Sequence, residues 1–106
     1  KERGWGLTMA GASVRYRRRV RMFDRIEIRS RAVCWDDKFL YLEQSMRVRG
    51  EATSHILYRS AVTGKSGIVP PQEVMQELDL KIETPKTPQW IEVWVEAEKH
   101  RPWPPF

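Results

Sequence analysis

The sequence has 106 residues, of which 41% are hydrophobic and 31% charged, and its formal net charge is +5. This composition is typical of one folded domain and excludes both a disordered chain and a two-domain protein. The sequence also lacks an apolar run of the ~20 residues that cross a bilayer, an apolar signal-peptide core and, because Cys34 stands alone, an internal disulfide.

Residues 1–11 predict an irregular entry segment, because they hold three glycines and show no clear periodicity. We expect Trp5 or Leu7 to anchor this segment to the rest of the domain. The first residue is Lys1 rather than methionine, so we expect a cleaved or truncated start. The lone cysteine, Cys34, favours a cytoplasmic location, where disulfides are rare.

Apolar and polar residues then alternate with period two, which predicts strands with one buried face. We predict a first strand over residues 12–20 and a second over residues 25–35, with a short connection at residues 22–24. The predicted inner face of the second strand carries Ile26, Ile28, Ser30, Ala32 and Cys34.

Two further strands are predicted over residues 39–49 and 52–63. A tight turn at Asp36 and Asp37 precedes the first of them, and a two-residue turn at Gly50 and Glu51 joins the pair. Consecutive strands with short turns indicate an antiparallel meander, which we place within residues 12–69.

The period changes after Pro70, and two helices are predicted within residues 70–100. A short helix covers residues 72–78, opened by a proline pair that suits a first helical turn. Thr87 is the predicted N-cap of the second helix. Its predicted packing stripe, at the spacing of one helix face, is Trp90, Val93, Trp94 and Ala97. The fold class is therefore α+β.

The strongest candidate site is the arginine-rich stretch from residue 13 to 31, which holds eight arginines and no lysine. Arg17, Arg18 and Arg19 place guanidinium groups on both faces of a strand end, and guanidinium groups match phosphate oxygens in pairs. A phosphate-bearing partner is one interpretation, such as coenzyme A or, less favoured, a nucleic acid. A solvated strand face is the other.

No residue is predicted to be catalytic, and neither a metal site nor a cofactor is predicted. Glu43 is interpreted as a member of a surface ion pair and Cys34 as a small core residue. A nucleophile pair of Ser54 or Ser60 with His55 would need a third member that the sequence does not show. The two histidines have no Cys/His cluster beside them.

The order of these segments resembles a known family. The stretch GASVRYRRRVRMFDRIEIRSRAVCWDDKFLYLEQ, then YRSAVTGKSGIVPPQEVMQEL, then PQWIEVWVEAEK is similar to acyl-CoA thioesterase-like proteins of the hot-dog fold. The resemblance is to the branch related to 4-hydroxybenzoyl-CoA thioesterase, and it runs from Arg3 to Lys99.

The resemblance implies a hot-dog-like sheet that lacks the usual central helix, within a single incomplete domain over residues 1–106. Family members carry the catalytic acid in an Asp-x-x-Gly-His-type segment around that helix, and the sequence contains no such segment. No catalytic residue is carried over. Arg17, Arg18 and Arg19 are implied to lie near the site for coenzyme A phosphates.

The apolar face of such a sheet must be covered. The predicted helix over residues 87–100 or a second chain could cover it, and the family implies a homodimer, which we expect to be obligatory. We therefore expect an acyl-CoA thioesterase-like protein that binds acyl-CoA or a related thioester, with hydrolysis dependent on groups from elsewhere. A non-catalytic dimeric binding or assembly module is the alternative, and nucleic-acid binding is a third, less favoured possibility.

Overall fold

The computed structural model describes residues 4–80, 83 and 85–106. It contains a five-stranded antiparallel sheet and two helices, which confirms the predicted α+β class. The elements are β1 (Gly6–Tyr16), β2 (Ile26–Trp35), β3 (Leu40–Val48), β4 (Glu51–Gly64), β5 (Gly67–Val69), α1 (Pro71–Glu77) and α2 (Gln89–Lys99).

The strand order is β1-β4-β3-β2, and the short β5 pairs with the end of β4. Strands β2, β3 and β4 form the predicted meander, but β1 pairs with β4 rather than with β2. The two arginine-rich strands therefore lie at opposite edges of the sheet and do not form a hairpin. Period-two alternation identifies a strand but does not identify its partner, and this is why the prediction was wrong.

Strand β1 begins and ends earlier than predicted. It starts at Gly6, inside the predicted entry segment, and pairs with β4 from Gly6 opposite Thr63 to Tyr16 opposite Ser54. Pairing with a long neighbour supplies the backbone partners that the glycine-rich segment lacks by itself. Residues 17–25 are consequently not a strand but the connection that crosses the end of the sheet from one edge to the other.

The β3–β4 turn consists of Arg49 and Gly50, one residue earlier than predicted. Both have positive φ, 53° and 79°, and Val48 pairs with Glu51. Two consecutive residues of positive φ match the type I′ turn, whose twist suits a two-residue hairpin.

Single unpaired residues interrupt the pairing of three strands, and they decide which face each side chain occupies. Val33 is unpaired between Ala32, opposite Leu42, and Cys34, opposite Tyr41. This β-bulge moves Cys34 to the face opposite the one predicted. Ala10 in β1 and Thr53 in β4 are the unpaired residues of the other two interruptions.

Helix α1 begins at Pro71 and ends at Glu77, one residue earlier at each end than the predicted 72–78, and the proline pair opens it as expected. Helix α2 begins at Gln89 after Pro88, with no side-chain cap. Thr87 is thus not the N-cap, and its side chain instead lies beside the Cys34 thiol.

The packing stripe of α2 is Ile91, Trp94 and Val95 rather than the predicted one. Trp90 is 46% exposed and Val93 62% exposed. Apolar residues at helical spacing occur on two sides of this helix, so spacing alone could not choose between them.

The core lies between α2 and one face of the sheet, which we call the helix face. Its buried members are Cys34, Tyr41, Leu57 and Ile91. The opposite face, which we call the apolar face, carries the alternating aliphatic residues of the strands. Those on the edge strands are well exposed: Leu7, Met9, Val14, Ile26 and Ile28.

Helix α2 therefore does not cover the apolar face, which was one of the two predicted covers. None of the described helices is long and apolar enough to cross a membrane.

Candidate functional site

A polar groove on the helix face is the most developed site in the described residues. Strand β3 places Glu43 opposite Leu57, and β4 places His55 opposite Ser45. The unpaired Thr53 lies between this paired segment and the turn. If Thr53 were paired with Met46 instead of being unpaired, the register beyond it would shift by one, and Glu43 and His55 would lie on opposite faces of the sheet.

Glu43 is the centre of this groove and binds two cationic or potentially cationic side chains. His55 Nε2 lies 2.8 Å from one carboxylate oxygen, and Arg31 Nε donates to the other. The Glu43 side chain is only 17% exposed. Burial raises the pKa of Glu43, but the hydrogen bonds from His55 and Arg31 and their charges outweigh it, and the pKa lies below its ordinary value. Glu43 is therefore an ionised anchor at neutral pH.

Arginines dominate the walls of the groove, whose cavity volume is about 530 Å³. Arg29, Arg31 and Arg47 line it together with His55. Arg29 pairs with Glu27 at 3.2 Å, and Arg47 Nε donates to Ser45 Oγ at 3.1 Å. The cations that line the groove outnumber its one carboxylate, so the groove suits an anionic ligand.

Helix α2 forms one side of an adjoining cavity. The Trp90 ring meets the His55 ring edge to face, with centroids 5.8 Å apart and planes at 68°. Ser13 and Arg15 of β1 line the same cavity. His55 is thus held between the Glu43 carboxylate and an indole ring, which fixes its orientation.

The predicted site residues Arg17, Arg18 and Arg19 lie just beyond the end of β1. The backbone N–H groups of Arg17 and Arg18 both donate to the Thr53 carbonyl, at 2.8 and 3.1 Å. Arg17 lines a depression that also includes His55. Arg18 pairs with Glu51, and Arg19 is exposed. The structure brings Arg17 towards the groove and directs Arg18 to a different partner.

Asp36 has a structural role, as its turn position predicted. Its carboxylate accepts hydrogen bonds from the backbone of Lys38 and Phe39, at 2.9 and 2.6 Å, and from Tyr41 Oη at 2.8 Å. Burial raises the pKa of Asp36, but these hydrogen bonds lower it below its ordinary value. Burial and the neighbouring Asp36 raise the pKa of Tyr41 to about 12.

Two further candidates are placed away from any reactive geometry. Ser54 and Ser60 project from the apolar face while His55 projects from the helix face, so neither forms a nucleophile pair with His55. Cys34 is fully buried, as a core residue should be, and burial raises the pKa of its thiol. Within the described ranges, no three metal-ligating side chains cluster.

The groove around Glu43 was missed by sequence reasoning, which treated Glu43 as part of a surface ion pair. It is ion-paired but half-buried, and its second partner, His55, comes from the neighbouring strand. The sequence signal is the polar residue at every second position of β3; β4 does not repeat it, because Leu57 follows His55 on the same face, and the bulge at Thr53 hides the match between the strands.

Comparison with known proteins identifies the family. The profile of the thioesterase-like superfamily matches residues 1–95. Protein THEM6 of Xenopus laevis is 37% identical over 95 residues, which are 87% of this chain and 44% of that protein. Protein THEM6 of Drosophila melanogaster is 27% identical over 99 residues, 92% of this chain and 49% of that protein. The chain thus spans about half the length of these curated relatives.

A solved structure confirms the hot-dog fold. Gentisyl-coenzyme A thioesterase BH1999 superposes with a TM-score of 0.59, over 69% of this chain and 61% of the other, at 17% identity. Identity this low supports the fold alone. The match of the superfamily profile over residues 1–95 shows that the chain belongs to the thioesterase-like superfamily.

Proposed function

We propose that this chain is the part of an acyl-CoA thioesterase-like protein that binds acyl-CoA or a related thioester. The observation that carries the proposal is the superfamily match over residues 1–95. The fold shared with a gentisyl-coenzyme A thioesterase adds support. We also propose that the protein acts in the cytoplasm, as its single free cysteine favours.

Arginines would bind the phosphates of coenzyme A. Arg17 and Arg19 are exposed, and Arg17 shares a depression with Arg15 and His55; His55 also lines the cationic groove. Guanidinium groups bind phosphate oxygens in pairs, and several of them are needed for the charge of a nucleotide phosphate. Arg18 would contribute less, because Glu51 already neutralises it.

Hydrolysis would proceed by attack of water on the thioester carbonyl, releasing the carboxylic acid and the free thiol of coenzyme A. Glu43 is a poor candidate for the general base, since His55 and Arg31 hold its pKa below the ordinary value. We therefore propose that the base comes from another part of the whole protein or from a partner chain.

Calorimetric titration with coenzyme A and a panel of acyl-CoAs tests the proposal. We expect saturable binding that weakens at least about tenfold in the double variant Arg17→Gln/Arg19→Gln. Lys99→Gln, an exposed charge at the end of α2, is the matched control and should leave binding unchanged. Absence of saturable binding, together with no hydrolysis of any acyl-CoA by the whole protein, would contradict the proposal.

A second candidate function is a non-catalytic, dimeric binding or assembly module. The observation that favours it is the exposed aliphatic surface on the apolar face, where Leu7, Met9 and Ile28 are each more than half exposed. Since α2 packs on the other face, we propose that a second chain covers part of this surface.

Sedimentation velocity over a wide concentration range tests the proposed dimer. We expect a dimer at all but the lowest concentrations, and Ile28→Asp should shift it to the monomer. A concentration-independent monomer would contradict the proposed dimer while leaving acyl-CoA binding to its own test.

A further inference from the structure

One end of the sheet carries a concentration of positive charge and exposed apolar side chains, of which the proposed function uses only the arginines at positions 17–19. We call it the arginine tip and define it as residues 17–25, which connect β1 to β2, and residues 49–51 of the β3–β4 turn. The two segments are neighbours, because Phe23, Arg25 and Arg49 line one depression. The tip is thus a continuous surface built by all four long strands.

Six arginines of the tip are exposed to solvent, and the tip itself holds two carboxylates, Asp24 and Glu51, a difference of four positive charges. Both carboxylates are engaged, since Asp24 accepts from the backbone of Arg21 and Glu51 pairs with Arg18. Glu27, which lines the depression from outside the tip, pairs with Arg29. The exposed arginines are Arg17, Arg18, Arg19, Arg21, Arg25 and Arg49.

Two large apolar side chains project from the middle of this charge. Met22 is 83% exposed and Phe23 is 97% exposed. A Phe side chain that lies in a loop and packs against no core residue does not stabilise the fold. Tyr16 and Ile26, at the two ends of the connection, are 81% and 44% exposed and extend the apolar area.

The turn at residues 21–24 is held in one conformation. Arg21 N–H donates to Asp24 Oδ2 at 2.7 Å, and Asp24 N–H donates to the Arg21 carbonyl at 3.1 Å. Phe23 has φ of 69°, a left-handed conformation that is costly for a bulky residue. The two bonds between Arg21 and Asp24 impose that conformation, and it presents the ring outward on a closed turn.

The shape and chemistry of the tip fit a charged, partly apolar plane. A nucleic-acid strand would need a row of aromatic rings on which successive bases stack, whereas the tip carries a single ring, Phe23, beside the aliphatic Met22. A bilayer with anionic lipids offers headgroup phosphates to the arginines and an apolar layer beneath them. Arginine stems can lie along the interface while their charged ends stay at headgroup level.

We propose that the arginine tip docks on the surface of an anionic phospholipid bilayer, with Met22 and Phe23 inserted among the headgroups and the surrounding arginines bound to lipid phosphates. At this contact the tip would lie on the membrane surface, at the level of the headgroups. The sheet would stand away from the surface, since the tip is the end of its strands.

Flotation of the whole protein with vesicles tests this docking. Vesicles of phosphatidylcholine and phosphatidylserine should bind the protein, more weakly as salt rises, and vesicles of phosphatidylcholine alone should not. The double variant Met22→Ser/Phe23→Ser should bind at least about tenfold more weakly. Arg21→Gln/Arg25→Gln should give a similar loss at low salt.

Matched controls separate docking at the tip from non-specific adsorption to vesicles. Trp103→Ser/Phe106→Ser removes two equally exposed aromatic residues outside the tip, and Lys99→Gln/Arg101→Gln removes two charges outside it. Neither should change vesicle binding. Equal losses in the controls, equal binding to both kinds of vesicle, or binding of the Met22→Ser/Phe23→Ser variant at wild-type strength would each overturn the proposal. So would salt-sensitive binding of a single-stranded oligonucleotide that depends on Phe23 in the absence of vesicle binding.

The docking does not rest on acyl-CoA binding, and the two can fail separately. Met22 and Phe23 take no part in the proposed coenzyme A contacts, so the double serine variant should keep its affinity for acyl-CoA in a titration without vesicles. Loss of vesicle binding with acyl-CoA binding retained is the expected result.

Discussion

The two faces of the sheet differ in composition and in their cover. The helix face carries charged and polar residues over much of its area, yet it holds the buried core beneath α2, formed by Cys34, Tyr41, Leu57 and Ile91. The apolar face carries the regular aliphatic alternation, yet Leu7, Met9, Val14, Ile26 and Ile28 are exposed on it. The face that looks like a core in the sequence is the more exposed one.

The contrast shows that alternation indicates which face of a sheet can be buried. It does not indicate which element buries that face. The position at which a helix packs on a sheet depends on local shape and on the few apolar side chains that contact it, here Leu57 and Tyr41. Apolar residues on the other face then remain available to a partner. The stability of the chain by itself should therefore depend on the helix face, and four measurements test this.

The largest effect on stability is expected where α2 packs on the sheet. Leu57→Ala should lower the free energy of unfolding by about 2–5 kcal/mol, because Leu57 is fully buried and its removal leaves a cavity. Urea unfolding followed by circular dichroism measures the loss. Val93→Ala, on the exposed side of α2, is the control and should change the free energy by less than about 0.5 kcal/mol. Equal losses in the two variants would show that α2 is not docked in solution.

The next largest effect is expected at Glu43. Glu43→Gln removes the ionised partner of His55 and Arg31 in a half-buried position, and should cost about 1.5–3 kcal/mol of unfolding free energy. Glu96→Gln, which breaks an exposed pair with Lys99, is the matched control and should cost much less. A Glu43→Gln variant as stable as the wild type would reduce the groove to a solvated surface.

A smaller effect is expected from acid, and its sign follows from the direction of the pKa shift. The pKa of Glu43 is lower in the folded state than its ordinary value of 4.5, so the unfolded state binds the proton more readily. The contribution of Glu43 is complete above pH 4.5 and is lost as the pH falls through the lower folded-state pKa. Unfolding midpoints between neutral pH and pH 3 should decline less in Glu43→Gln than in the wild type. An equal decline of the two midpoints with falling pH would contradict the lowered pKa of Glu43.

The smallest effect is expected on the apolar face. Ile28→Thr should change the unfolding free energy of the isolated chain by less than about 0.5 kcal/mol, because Ile28 is 54% exposed. The measurement is made at a concentration where sedimentation shows a monomer. A loss above about 1 kcal/mol there would show that this face is covered within a single chain, and the contrast between the faces would disappear.

Much of the fold was predictable because strands and helices depend on local pattern. The alternation in β2, β3 and β4 and the proline before α1 were sufficient to place these elements. The partner of β1 was not predictable in this way, since the alternation of apolar and polar residues in an edge strand fits either neighbouring strand. The stripe of α2 failed for a similar reason, as Trp94 belongs to the predicted set and to the observed one.

The groove around Glu43 depended on a non-local feature. His55 and Glu43 share a face only because Thr53 stays unpaired in β4, and its hydroxyl donates to the Met46 carbonyl at 3.0 Å across the irregularity. A one-residue offset between strands is set by backbone geometry that composition does not encode. Cys34 changed faces for the same reason, after Val33.

The three unpaired residues also have a consequence for how sequences of this kind can change length. Deleting Val33 would join Ala32 to Cys34 with both of their partners preserved, because Leu42 and Tyr41 are already consecutive. Deleting any paired residue of the same strand would instead exchange its two faces beyond that point. Single-residue gaps within the strands of divergent relatives should therefore concentrate at the positions of Ala10, Val33 and Thr53, and an alignment that places them elsewhere would mismatch every side chain that follows.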